Sequence, residues 1–317
     1  MPAQGYGFAL LTAAFFGAGA VLANRVTADI HPLLTTELNL AIGAALLGTY
    51  LAVRRRPLLP RGLGRGDWVR LAFVSVVGTG LSLALVITGL SMTSPVNGGF
   101  LIQLQGPAAV LASVAVLGDR LRWWQTLGIA VTLFGGLLIV MRSPSAGLTS
   151  IHGGDVLVLL GALLAGIAYL PAKSLMDRVP ALQLSLWRLL PAAVVLLPVL
   201  PLVPGRLRWH PTTTTLTLQL VLAVTNFCLA YVTLHLALAR LRPWQTASVL
   251  QLEPAFTVVI SLAALALVPT PLQFAGGALM IAGGLVAQRP DRTATEPAPA
   301  PPPTSTEPLT NSQGSTR

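Results

Sequence analysis

The strongest constraint on this chain is that its second half repeats its first at an offset of about 148 residues. The stretch Gln125-Thr-Leu-Gly128-Ile-Ala-Val-Thr-Leu-Phe-Gly135-Gly136-Leu137 returns as Gln273-Phe-Ala-Gly276-Gly-Ala-Leu-Met-Ile-Ala-Gly283-Gly284-Leu285. Ahead of each copy a proline interrupts an apolar run, in Gly106-Pro107 and in Glu253-Pro254. A repeat of five membrane spans enters the bilayer upside down relative to its twin, an arrangement from which many secondary carriers are built.

Composition allows this reading. Apolar residues make up 54% of the 317 and charged ones 9%, which leaves too little polar surface to cover a soluble globule. A crossing takes about 20 mostly apolar residues. Ten such segments are expected, at residues 6–24, 33–53, 69–90, 95–117, 123–141, 154–173, 181–203, 215–238, 243–267 and 271–288. The fold class is therefore an all-α integral membrane protein, with ten transmembrane helices in two inverted five-helix repeats, residues 1–143 and 152–288. The first apolar run lacks the positive flank of a cleavable signal peptide and is read as a permanent helix. The single Cys228 falls within the eighth segment, so no intramolecular disulfide forms.

The net charge of +10 is explained by membrane topology rather than by a nucleic-acid partner. With the N-terminus inside, the inner loops hold Arg54, Arg55, Arg56, Arg61, Arg65, Arg70, Arg120, Arg122, Lys173, Arg178, Arg240 and Arg242, followed by Arg289 and Arg292. Only Arg25, Arg142, Arg206 and Arg208 fall on the outer side. Both termini are then cytoplasmic and the chain is a multi-pass protein of the plasma membrane. Residues 289–317 lose the apolar runs and become rich in Pro, Ser and Thr, a composition that predicts a disordered tail.

A proline within a membrane helix removes one donor and frees the carbonyl four residues earlier. Pro107 would release the carbonyl of Gln103, and Pro254 that of Leu250. Interrupted helices at corresponding places in two repeats point to a substrate site. Glycines at 128, 135 and 136, and again at 276, 277, 283 and 284, let helix backbones approach closely and mark the fifth and tenth segments as packing helices. The same small-residue faces would permit a homodimer.

A charge in hydrocarbon costs several kcal/mol unless it is paired or faces water. Glu253, beside a break, is either a proton-coupling carboxylate or a structural partner of Arg188 or of freed backbone groups. Arg188, roughly 12 Å from the inner end at 1.5 Å per residue, either holds a substrate carboxylate, or snorkels or pairs permanently with an acid. His235, near Arg240, is read as an interfacial histidine with proton relay as the other reading. Glu37, a turn inside the outer end, is expected to be solvated. The candidate pathway comprises Asn97, Gln103, Tyr169, Trp187, Arg188, Asn226 and Gln251, with Glu253 and His235 as coupling candidates and Pro107 and Pro254 as helix breaks. Hydrogen bonding between helices is the competing role for each polar side chain.

On these residues the chain resembles the EamA-type permeases of the drug/metabolite transporter superfamily, whose halves each carry five spans. The matching pieces are Leu117-Gly118-Asp119-Arg120-Leu121 with Gln125, Gly128 and Gly135-Gly136, and Leu250-Gln-Leu-Glu253-Pro254-Ala-Phe256 with Gly276 and Gly283-Gly284. It departs from the family pattern at Val268-Pro269-Thr270, where an acidic turn is usual, and at Glu37 and Asn39, where an arginine is frequent. The resemblance implies a carrier of small metabolites, amino acids or amphipathic organic molecules, with export favoured over import. No Walker A loop, His-Glu-x-x-His motif or Cys/His cluster is present, so no cofactor, metal or enzymatic chemistry is expected. The alternative is a non-transporting membrane scaffold or sensor that binds a ligand.

Overall fold

The computed structural model describes residues 2–118, 121–141, 152–176, 178–203, 207–241 and 243–287. Asp119, Arg120, Arg142, Arg206, Arg242, Arg289, Arg292 and the tail 289–317 lie outside the described residues. Among the described residues the structure is all-helical, and its β pairing is limited to one isolated antiparallel bridge, Ile30 to Trp209.

The helices are α1 (Pro2–Val26), α2 (Pro32–Val53), α3 (Arg65–Ser75), α4 (Ser82–Leu90), α5 (Pro95–Ile102), α6 (Gln105–Leu117), α7 (Trp123–Met141), α8 (Gly153–Met176), α9 (Ala181–Leu196), α10 (Thr213–Val224), α11 (Ala230–Leu238), α12 (Pro243–Leu250), α13 (Glu253–Leu265) and α14 (Pro271–Ala287). A π-helical turn, Val76–Leu81, joins α3 to α4, and another, Thr225–Leu229, joins α10 to α11. Eight helical stretches are long and apolar enough to cross a membrane, whereas Trp123–Ile139 and Pro271–Ala287 are shorter apolar helices. The chain is a multi-pass membrane protein.

Helix boundaries recur along the chain. Pro95 and Pro243 open α5 and α12, Gln105 and Glu253 open α6 and α13, and Pro271 follows Trp123 at the start of α14 and α7, each pair 148 positions apart. The repeated glutamines have a local cause. Gln125 Oε1 accepts from the Arg122 N–H at 3.0 Å, and Gln273 Oε1 accepts from the Thr270 N–H at 2.8 Å. Each reaches back to a free donor at its helix start, and Thr270 Oγ1 returns the bond to the Gln273 N–H, completing a capping box. Asp67 plays a related part in α3: it accepts from the Gly64 N–H at 3.2 Å and is held by Arg178 at 2.6 Å. This anchored first turn is why the helix starts at Arg65 rather than at 69.

Close glycine contacts set the packing. A Cβ on Gly128 would lie 2.6 Å from the Gly283 carbonyl oxygen, and one on Gly135 would lie 2.5 Å from that of Gly276, with the reciprocal contacts equally short. Because 128 meets 283 while 135 meets 276, α7 and α14 run antiparallel. The small-residue faces of these helices are thus spent inside one chain, and a second copy would have to use other surfaces. Two further contacts mirror each other. Gly17 of α1 abuts the Glu253 carbonyl of α13, and Gly166 of α8 abuts the Gln105 carbonyl of α6. The largest apolar cluster, including Leu90, Phe100, Leu101, Leu104, Ile139, Val158 and Met280, lies among α4, α5, α7, α8 and α14.

At one end of the bundle, loop 27–31 clasps loop 207–210. The His31 N–H donates to the Arg208 carbonyl at 2.8 Å, Arg208 donates to the Thr27 carbonyl at 2.7 Å, and Thr215 Oγ1 donates to Asp29. His31 also caps α2, its Nδ1 accepting from the Leu33 N–H. Burial, then the Arg208 charge, lowers the His31 imidazole below its ordinary range. The folded clasp therefore keeps His31 neutral, while the unfolded segment takes a proton near its ordinary value of about 6.5. Clasp stability is unaffected above that pH and falls as the pH drops below it. Hydrogen-exchange protection factors (rates relative to the intrinsic rate at each pH) of residues 27–31 and 207–210 should fall from pH 7.5 to 5.5, and His31→Gln should remove that dependence. Separately, Gly135→Leu should overpack the α7–α14 contact at a cost on the order of 1–3 kcal/mol, read as a lower unfolding temperature in detergent.

Candidate functional site

Both broken helices are turned by tightened backbone rather than by open loop. Between α5 and α6 the N–H groups of Gln103 and Leu104 donate to Phe100 and Leu101, and the Gly106 N–H donates to the Gln103 carbonyl at 3.1 Å. The carbonyl expected to be freed by Pro107 thus has a partner. Pro107 sits in the first turn of α6 and Pro254 in the first turn of α13, where a missing N–H costs little. The interruptions lie just before the prolines, at 103–104 and 251–252.

The breaks bring Gln103 and Glu253 together, the Gln103 amide facing the Glu253 carboxyl. The contact falls short of a formed hydrogen bond, for Gln103 Nε2 is buried with no acceptor at bonding geometry. Tyr169 of α8 lies within electrostatic reach of Arg188 of α9, Tyr231 of α11 and Glu253 of α13. Tyr169 itself is about half exposed. The Tyr231 ring packs edge-on against Phe16 of α1, with centroids 5.8 Å apart.

Arg188 is aimed by a feature without a residue-type signature. The π turn places Thr79 so that its hydroxyl donates to the Val74 carbonyl, five residues back, while accepting from Arg188 Nε at 3.3 Å. Ser75 Oγ donates to the Arg188 carbonyl at 2.9 Å. Neither Arg188 nor Glu253 forms an ion pair among the described residues, and they do not pair with each other.

The remaining candidates hold helices and loops. Asn97 Oδ1 accepts from Gln273 Nε2 at 2.6 Å, and Asn97 Nδ2 donates to Asp155, which also accepts from Thr93 at 2.5 Å and from the His152 N–H at 3.1 Å. Trp187 Nε1 donates to the Leu58 carbonyl at 2.8 Å, and its ring meets Trp68. Asn226 donates to the Phe15 carbonyl at 2.7 Å, Gln251 packs on Gly284, and His235 Nδ1 sits 2.5 Å from the Tyr231 carbonyl. Glu37, expected to be solvated, is only 8% exposed, because α2 turns that face into the bundle. Sequence reasoning passed over Ser75, Thr79, Thr93 and Asp155. Of these only Asp155, an acid in the first turn of a membrane helix, carried a readable signal.

With this geometry in place, the comparison with known proteins is decisive: the EamA-like transporter family matches residues 3–141 and 152–287. The chain belongs to the EamA-like transporter family. It is a membrane transporter. It is 27% identical over 239 residues to a probable terminal-alkyne amino-acid exporter of Streptantibioticus cattleyicolor, covering 75% of this chain and 79% of that one. An uncharacterized transporter of Bacillus subtilis, YoaV, is 25% identical over 53% of this chain and 57% of its own. A solved crystal structure superposes with a TM-score of 0.64 at 18% identity, covering 90% of this chain and 97% of the other, a likeness of fold alone.

The Asp155 cluster ties α8 to α5 and, through Asn97, to α14 at the end of the bundle that carries the loop 27–31 clasp. Asp155→Ala should remove the acceptor that Thr93, Asn97 and the His152 N–H share, at a cost of about 1–3 kcal/mol. In purified protein this reads as a drop in unfolding temperature that Asp155→Asn reproduces only in part.

Proposed function

We propose that this EamA family member is a secondary carrier of ten membrane helices, built as two inverted repeats over residues 1–143 and 152–288. The repeats rock around a cavity lined by Gln103, Tyr169, Arg188 and Glu253. The observation that carries this reading is the meeting of the two helix breaks at Gln103 and Glu253, with neither Glu253 nor Arg188 in an ion pair among the described residues. Helix interruptions at equivalent places in two halves are the usual construction of a midplane substrate site. The recurring helix boundaries and the antiparallel α7–α14 contact support the inverted arrangement, and the arginine distribution supports cytoplasmic termini in the plasma membrane.

The cargo in this reading is a small amino acid or amphipathic metabolite moved outward, as the name of the Streptantibioticus relative suggests. Glu253 is the proposed coupling group, since it alone places a carboxylate at a helix break inside the cavity. His235 is the weaker candidate because its Nδ1 is engaged with the Tyr231 carbonyl.

Counterflow in proteoliposomes with a labelled amino-acid and metabolite panel tests the carrier. The intact protein should exchange at least one compound, and Arg188→Ala should lower that exchange by at least about tenfold, the loss of one charge-assisted contact. Saturable binding without flux would favour the ligand-binding scaffold instead. Glu253→Gln should flatten the pH dependence of exchange, and an unchanged profile would remove the coupling assignment.

A further inference from the structure

We infer that the end of α2 carries a phosphate site, formed by Arg54 and Arg56 beside Leu51, that holds the headgroup phosphate of an anionic phospholipid. The site is independent of the carrier reading.

Arg54, Arg55 and Arg56 follow directly on the apolar span Pro32–Val53, and the sequence has no Asp or Glu between Glu37 and Asp67. Asp67 is itself taken by Arg178 and Arg70. The helix ends in a closed turn. The Arg55 N–H donates to the Ala52 carbonyl and the Arg56 N–H to the Leu51 carbonyl, both at 2.9 Å, with Arg55 at φ +51°, where glycine is the usual residue. Backbone therefore answers the last carbonyls of α2, and the guanidinium groups are not drawn into capping. The same turn brings Arg56 to the cavity that Arg54 lines. Tyr50, Leu51, Arg54, Arg56 and Leu182 of α9 surround a space of about 390 Å³, within the roughly 300–1,000 Å³ of small-molecule sites. The Arg54 guanidinium carbon lies 5.7 Å from the centre of the Tyr50 ring, which holds that cation against one wall. Among the described residues neither Arg54 nor Arg56 forms an ion pair or a side-chain hydrogen bond.

Two planar, permanently charged forks on one cavity suit an oxyanion with several acceptor oxygens. The surroundings indicate where that oxyanion comes from. The segment after the turn is strapped to α9, since Gln183 Nε2 donates to the Pro57 carbonyl at 2.7 Å and Trp187 Nε1 to the Leu58 carbonyl at 2.8 Å. The Trp187 ring meets Trp68 edge-on at 5.4 Å, and indoles gather at the level where headgroups meet hydrocarbon. Val53, Leu58 and Leu59, next to the arginines in the chain, are all exposed. Acyl chains would cover that apolar surface, whereas a soluble phosphate would leave it wet. Positive charge beside a span needs only to be present to orient the chain. It needs no closed turn, stacked ring and strapped segment around one cavity. A choline headgroup brings its own cation, which the two arginines would repel with no acid among the lining residues to receive it. An anionic headgroup avoids that conflict.

The test is displacement of acyl-labelled phosphatidylglycerol from delipidated full-length protein in neutral detergent, with phosphatidylglycerol, phosphatidylcholine and glycerol 1-phosphate as competitors. Phosphatidylglycerol should compete at least about tenfold better than phosphatidylcholine, and glycerol 1-phosphate should displace nothing at concentrations where phosphatidylglycerol displaces all. Arg54→Gln with Arg56→Gln should weaken binding about 10- to 100-fold, as expected for lost charge-assisted contacts. Leu182→Trp fills the cavity and keeps every charge, and it should weaken binding at least about tenfold. Arg61→Gln with Arg65→Gln removes the same charge from the same connection outside the cavity and should stay within about twofold. Unfolding temperatures in lipid-free detergent check that each variant is folded. Equal losses in the two double variants would reveal a diffuse surface field and overturn the site, as would unchanged binding by folded Leu182→Trp or equal competition by the two lipids. Displacement by glycerol 1-phosphate as readily as by the lipid would assign the phosphate to a soluble ligand and overturn the lipid.

Discussion

A backbone carbonyl or amide inside hydrocarbon has to be answered by protein, and the architecture here is organised around meeting that demand at residues 103–104 and 251–252. The answer is a tightened turn. Donors reach carbonyls three residues back, and a second helix restarts at once on Gln105 or Glu253. Prolines placed in the first turn of each new helix exploit positions where no donor is required. Each new helix start is then braced by a glycine-bearing helix from elsewhere in the chain, Gly166 against Gln105 and Gly17 against Glu253. A polar break is thereby held in a fixed place, and side chains beside it acquire fixed directions.

Fixed directions are what the proposed site needs. Gln103 and Glu253 arrive on the two breaks, while Tyr169 and Arg188 arrive on α8 and α9. Arg188 would be a flexible cation without the π turn that sets Thr79 and Ser75 beside it. The two π turns, at 76–81 and 225–229, start about 149 positions apart, close to the spacing of the other recurring helix boundaries. The polar links at Asp155 and the clasp at His31 secure one end of the bundle, and Asp67 with Arg178 secures the other.

Much of this was legible in the sequence because it leaves marks in residue type. Glycine spacing marked α7 and α14 as close-packing helices, and the repeated prolines fell next to the breaks. The repeated glutamines were visible as a motif, although their capping role needed the structure. What stayed hidden leaves no such mark. A π turn has no residue signature, so the tether on Arg188 could not be read. Trp187 looked like a cavity residue because it adjoins Arg188, yet one residue is a 100° rotation on a helix, enough to send its indole to the Leu58 carbonyl. Glu37 was misjudged because distance from a helix end says nothing about which face is buried.

The difference between Gln105 and Glu253 has a consequence for how an inverted-repeat carrier would rest. Two identical halves exchange roles when the molecule turns from one side of the membrane to the other, so its two conformations would be equal in energy. In the proposed carrier a single carboxylate on one twin would remove that degeneracy. The conformation that gives Glu253 its better surroundings would become the default, and a bound cargo or a proton would shift the balance by acting on that one group. Direction of transport would then be written in the departures between the halves, not in the features they share.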